Sequence, residues 1–131
     1  MIKEWLSRWQ SCRLYRGHDV YRKLLPGYPE LHVERQGDDW VLAFELGRLR
    51  GDLPLGTLLL LLGINSPQGT IRVTVDQAGS LVLYTTLVDA GADFEHYDQQ
   101  LAMLCEHQAF LQPQLQPVVP HRDIGPVSAF A

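Results

Sequence analysis

The chain has 131 residues, of which 46% are hydrophobic and 20% charged, and carries a formal net charge of −4. Such a chain is one ordinary globular domain, able to bury a core but too short for a TIM barrel or a two-domain dehydrogenase. The acidic balance counts against a nucleic-acid partner, and the longest apolar run, Leu58 to Leu62, is far below the ~20 residues that a membrane helix needs.

The N-terminal segment shows no basic stretch followed by an apolar one, so no signal peptide is expected and the cytoplasm is the default compartment. Thiols stay reduced there, and Cys12 and Cys105 read as small core residues on the apolar sides of helices. The early basic residues Arg8, Arg13, Arg16, Arg22 and Lys23 read as a solvated face.

Ile2, Trp5, Leu6, Trp9 and Cys12 recur at spacings of three and four, which predicts a helix over 2–16 closed by Gly17. Val20, Tyr21, Leu24 and Leu25 fit a second short helix, broken by Pro26-Gly27-Tyr28-Pro29. A hairpin follows. Leu31 to Arg35 alternates apolar and polar, Gln36-Gly37-Asp38-Asp39 turns, and Trp40, Leu42, Phe44 and Leu46 share one face of the returning strand.

Residues 53–64 read as a helix, with Pro54 in its first turn and Gly63 as its stop. Leu55 and Leu58 to Leu62 make it apolar nearly all round, whereas a surface helix needs only one apolar stripe. Leaving several of these leucines in water forfeits about 1.5–3 kcal/mol each. One side of the helix can rest on the domain's own sheet, and a second protein chain is a natural cover for the other.

A second hairpin is expected next. Ile71, Val73 and Val75 alternate with Arg72, Thr74 and Asp76, and Gln77-Ala78-Gly79-Ser80 turns. Leu81 to Val88 then carries apolar groups on both faces, as in a strand covered on both sides. Asp93 is a good N-cap for a final helix, along which Phe94, Tyr97, Leu101, Leu104, Gln108, Leu111 and Leu115 step by three and four until Pro113 ends it.

The order helix, strand pair, helix, strand pair, helix predicts an α+β fold, a mostly antiparallel sheet flanked by helices. Residues 1–115 form the domain, and 116–131 an extended or partly disordered tail.

No phosphate-binding loop, dinucleotide fingerprint, nucleophile elbow or zinc-protease motif occurs. His96 and His107 lie about three turns apart on the last helix, too far to share a metal without help from another segment. Asp89 and Asp93 offer a carboxylate pair, but a loop and an N-cap account for them. Trp5 and Trp9 on one helical face suit core packing or a partner chain. Neither a cofactor nor a metal is implied.

The run Leu55-Gly56-Thr57-Leu58-Leu59-Leu60-Leu61-Leu62-Gly63-Ile64-Asn65 leads through Ser66-Pro67-Gln68-Gly69 into the strand Thr70 to Asp76 and then Gly79 to Tyr84. With the final helix from Asp93-Phe94-Glu95, these motifs mark a stretch from about Leu31 to Leu115 that resembles the class I chaperones of bacterial type III secretion, the Tir-chaperone-like family. The segment Leu111-Gln112-Pro113-Gln114-Leu115-Gln116-Pro117 is similar to chaperone subunits that serve the secretion gatekeeper. The resemblance implies a dimer, homodimeric or with a second small chaperone, whose interface is the middle helix and following strand: Leu55, Leu58, Leu59, Leu61, Leu62, Ile71 and Val73. It implies no catalysis, and a client that is the N-terminal region of a secreted effector or gatekeeper, held extended. Candidate client-binding residues are Trp5, Trp9, Leu31, Val33, Trp40, Leu42 and Phe44, some of which must be core instead. Two other readings stay open: a small enzyme built on His96, His107, Asp89 or Glu106, and a generic dimeric adaptor outside secretion.

Overall fold

The computed structural model describes residues 2–9, 13–14, 19–48, 53, 55–65, 69–89 and 93–115. Cys12, Gly17, His18, Pro54, the turn 66–68, His121, the tail 116–131 and the side chain of Leu58 lie outside the described residues. The elements are α1 (Ile2–Ser7), β1 (Arg13–Leu14), β2 (Val20–Leu24), β3 (Glu30–Gln36), β4 (Asp39–Arg48), α2 (Leu55–Ile64), β5 (Ile71–Val75), β6 (Ser80–Val88) and α3 (Phe94–Leu115). The fold is the expected α+β type. All neighbouring strands run antiparallel, in the order β1-β2-β3-β4-β6-β5.

The hairpins form where alternation and turn residues place them. Gln36 pairs with Asp39, so Gly37 and Asp38 alone make the β3–β4 turn, and Gly37 takes a φ of 65° that suits glycine. In the β5–β6 turn Asp76 Oδ1 accepts from the amides of Ala78 and Ser80, each at 2.9 Å. The β4–β6 register shifts between Glu45 and Gly47, where Gly47 adopts a φ of 114°.

Alternation decides the core. Leu31 and Val33 of β3, Trp40, Leu42, Phe44 and Leu46 of β4, and Leu81, Leu83 and Leu87 of β6 are buried on one sheet face. Tyr97, Leu104, Gln108, Leu111 and Leu115 of α3 cover them, with Ile2, Trp5 and Leu6 of α1. On the other face Arg22, Glu30, Glu45, Thr86 and Val88 are exposed, and no helix packs there among the described residues. The chain itself therefore covers β6 on one side, not on both.

Four expectations about element bounds and types are corrected. The helix over 2–16 stops at Ser7, and Arg13–Leu14 is a strand paired with Tyr21 and Arg22. Three buried positions suffice to dock so short a helix, and the amides of Arg8 and Trp9 close its end on Trp5 and Leu6. Residues 20–24 form a strand rather than a helix, pairing with Glu30 to Glu34 on one side and with Arg13–Leu14 on the other. Val20 and Tyr21 favour a pleated strand, and five residues before a Pro-Gly break are too few to sustain a helix. Pro113 sits inside α3, which runs on to Leu115. Its ring costs the bond to the carbonyl four residues back, but buried Leu111 and Leu115 hold the last turn to the sheet. Likewise α2 passes Gly63 and ends at Ile64.

Asp93 caps α3 as expected, its Oδ1 accepting from the His96 amide at 2.9 Å. At the buried end of α3, Gln108 Nε2 donates to Gln112 Oε1, and Gln112 Nε2 donates to the Leu46 carbonyl, each at 3.1 Å. That relay gives buried Gln108 a polar partner in an otherwise apolar layer.

Candidate functional site

The middle helix divides into two faces. Thr57 and Leu61 are buried at 9% and 7% exposure, while Leu60 and Ile64 pack against the core from its margin. Leu55, Leu59 and Leu62, spaced by four and three residues, stand 70%, 58% and 68% exposed. No charged residue occurs between Leu55 and Ile64. Of the candidate interface residues, Leu61 and Ile71 thus belong to the core, Val73 is half-buried, and Leu55, Leu59 and Leu62 form an uncovered apolar strip.

The end of this helix is fastened to the sheet. Asn65 Nδ2 donates to the Val73 carbonyl at 2.9 Å, and Asn65 Oδ1 accepts from the Val73 amide at 2.7 Å. Arg72 Nη1 donates to the Asn65 carbonyl at 2.8 Å. These bonds set α2 beside β5, at the edge of the sheet.

The candidate client-binding residues are sorted by burial. Trp5, Leu31, Val33, Trp40, Leu42 and Phe44 are at most 1% exposed, so in this chain they are core. Trp9 is half-buried, its ring 4.6 Å from that of Trp5, with Lys23 Nζ 5.2 Å above it. Leu24, at the end of β2 beyond its pairing with β1, is 68% exposed. The open sheet face also carries a groove of about 670 Å³ lined by Arg22, Glu30, His32, Ala43, Glu45 and Val82.

Trp5 instead anchors α1. Its Nε1 donates to Asp98 Oδ1 at 2.8 Å, and its ring lies 5.4 Å from that of Tyr97. The Ile2 amide donates to Asp89 Oδ1 at 2.8 Å. The Tyr97 hydroxyl is shared between the carbonyls of Val88 and Asp89, both at 3.2 Å, and burial raises its pKa, with Asp89 and Asp93 adding to the rise. The candidate carboxylate pair thus has structural work: Asp89 receives α1 and Asp93 caps α3.

The Ile2 amide holds the Asp89 carboxyl below its ordinary pKa against an opposing effect of burial, and Arg35 lowers it further. A depressed folded pKa stabilises the fold above the unfolded value of about 3.9, and that contribution is lost as pH falls through the folded value. Asp89→Asn is therefore expected to weaken the protein at neutral pH and to flatten its acid limb below about pH 4. Urea midpoints measured from pH 6 to pH 2.5 check this, and equal acid slopes in the two proteins would contradict it.

The structure does not assemble the other chemical candidates. His107 Nδ1 bonds to the Met103 carbonyl at 2.8 Å, and exposed His96 lies against Tyr97 with ring centroids 6.0 Å apart. No group of three or more His, Cys, Asp or Glu able to hold a metal occurs among the described residues. Cys105 is free and half-buried, and burial pushes its thiol pKa up, which makes it a poor nucleophile. No described helix is long and apolar enough to cross a membrane.

No family model matches the chain, and no curated protein does. Solved structures do match. A chain of the heterodimeric complex ExoU–SpcU, from the type III secretion system of Pseudomonas aeruginosa, superposes with a TM-score of 0.78 at 32% identity, over 90% of this chain and 100% of that one. The chain belongs to the class I type III secretion chaperones.

The fold is shared more widely at lower identity. The Yersinia pestis type III secretion chaperone SycH, solved with a stable fragment of YscM2, matches at a TM-score of 0.63 and 16% identity over 83% of this chain and 94% of that one. A chain of the HopA1–SchA chaperone–effector complex matches at 0.62 and 15% identity, over 76% of this chain and 80% of that one. Membership of this family places the chain among chaperones rather than enzymes.

Sequence reasoning found the uncovered leucine helix by composition. It missed Asn65, whose amide–backbone pairing with Val73 spans eight residues and has no local signature.

Proposed function

We propose that this protein is a cytoplasmic chaperone that binds the N-terminal region of a secreted effector or gatekeeper protein, holds it extended and keeps it competent for secretion. It acts without turnover or cofactor, as a dimer with itself or with a second small chaperone. The observation that carries the reading is the 32% identity to a chain of a secretion complex over 90% of this chain. The uncovered strip of Leu55, Leu59 and Leu62 supports the dimer, in which the margin at Val73 joins the contact while Leu61 and Ile71 form its floor.

The client lies across the open sheet face, touching Leu24, and along the β1 edge, where it reaches Trp9. Main-chain hydrogen bonds supply affinity there, and pockets for alternate side chains supply selection. Trp5, Leu31, Val33, Trp40, Leu42 and Phe44 act beneath this surface, holding the sheet to α1 and α3 rather than meeting the client.

Deleting the gene and comparing the secreted proteins with those of the parent strain tests the role. The expected result is loss of one secreted protein, or of one gatekeeper-dependent step, with the secretion apparatus intact. Unchanged secretion of every substrate would contradict it.

A further inference from the structure

The β5 edge of the sheet carries an unusual closure. An edge strand normally presents free amide and carbonyl groups that can pair with another extended chain. On β5 the outward pair at Val73 is already taken, both groups by the one carboxamide of Asn65, at 2.7 and 2.9 Å. The carboxamide uses one N–H of its NH₂ as donor and its carbonyl as acceptor, the same pair that a residue of a neighbouring strand would offer. Arg72 locks the arrangement by donating to the Asn65 carbonyl at 2.8 Å. Because outward groups alternate along a strand, Val73 is the central outward residue of Ile71–Val75. An incoming strand cannot keep register past it without first displacing Asn65.

We propose that Asn65 closes the β5 edge to strand addition and so reserves this end of the molecule for a second copy of the chain, packed through side chains on α2. This rests on the dimer reading above. Two further observations favour a second copy as occupant. The exposed Leu55, Leu59 and Leu62 lie on the helix that Asn65 terminates, beside the closed edge. No charge interrupts α2, so a two-fold contact, in which each residue meets the same patch on its partner, brings no like charges together. An extended client segment is thereby directed away from β5.

Hydrogen exchange on the full chain, read by NMR, tests the closure. Asn65→Ala is expected to speed exchange of the Val73 amide about fivefold or more, as loss of one hydrogen bond implies. It is also expected to produce, on sedimentation, concentration-dependent species larger than those of the parent protein. Adding Val73→Pro to Asn65→Ala removes the outward donor at a position where an edge strand tolerates proline, and is expected to abolish those larger species. Unchanged Val73 exchange in Asn65→Ala would overturn the closure, as would larger species that persist with Val73→Pro. A parent protein that sediments as a monomer would overturn the dimer reading instead, and the exchange at Val73 would still judge Asn65.

Discussion

Leu59→Asp is expected to separate the dimer while leaving the monomer folded. Leu59 lies at the middle of the exposed strip of α2 and is 58% exposed in the single chain, so the monomer's core does not depend on it. In a two-fold contact the substitution acts twice. Burial of one leucine is worth about 1.5–3 kcal/mol, so losing two weakens association by about 3–6 kcal/mol, or roughly 10²–10⁴-fold. Two carboxylates brought together near the axis add to that loss. Sedimentation equilibrium measures the effect, and circular dichroism shows whether the helices persist. An unchanged dissociation constant would place the dimer contact away from α2.

Trp5→Ala is expected to destabilise the fold by about 3–5 kcal/mol, the usual cost of removing a large aromatic from a packed interior. Trp5 is 1% exposed, packs against Tyr97 and Trp9, and donates to Asp98 from its indole nitrogen. Its loss leaves a cavity between α1 and α3 and releases the N-terminal helix. Urea unfolding measures the effect, with Trp9→Ala as the comparison, because Trp9 is only half-buried and is expected to cost less in stability. A Trp5→Ala loss below about 1 kcal/mol with client binding abolished would return Trp5 to the client surface.

The same physics explains what could be read in advance. Both hairpins were legible because Leu31 to Arg35, Trp40 to Leu46 and Ile71 to Asp76 alternate cleanly and are joined by Gly-Asp and Asp-Gln-Ala-Gly turns. The last helix was legible from its N-cap and its long three-four spacing. β2 was not, because apolar residues at 20, 21 and 24 fit a helix as well as a strand and only pairing with β3 decides between them. α1 was overextended because Arg13–Leu14 finds a strand partner that lies beyond the local pattern.

For the candidate site, composition exposed the leucine helix, since apolar residues all round a helix need cover beyond one sheet. The client-binding set was largely illegible. Alternation marks the buried face of Leu31, Val33, Trp40, Leu42 and Phe44 equally for core and for groove, and only packing beneath α3 and α1 distinguishes them. The anchoring of Trp5 to Asp98 crosses most of the chain and leaves no local trace.

Affinity capture of the tagged protein from its own cells, followed by native mass spectrometry of what elutes, tests the chaperone role most directly. The account predicts one secreted protein, held through its N-terminal region, with two chaperone chains per client. The identity of those two chains distinguishes a homodimer from a heterodimer. Elution of a lone monomer from cells with an active secretion system would contradict both the client and the dimer.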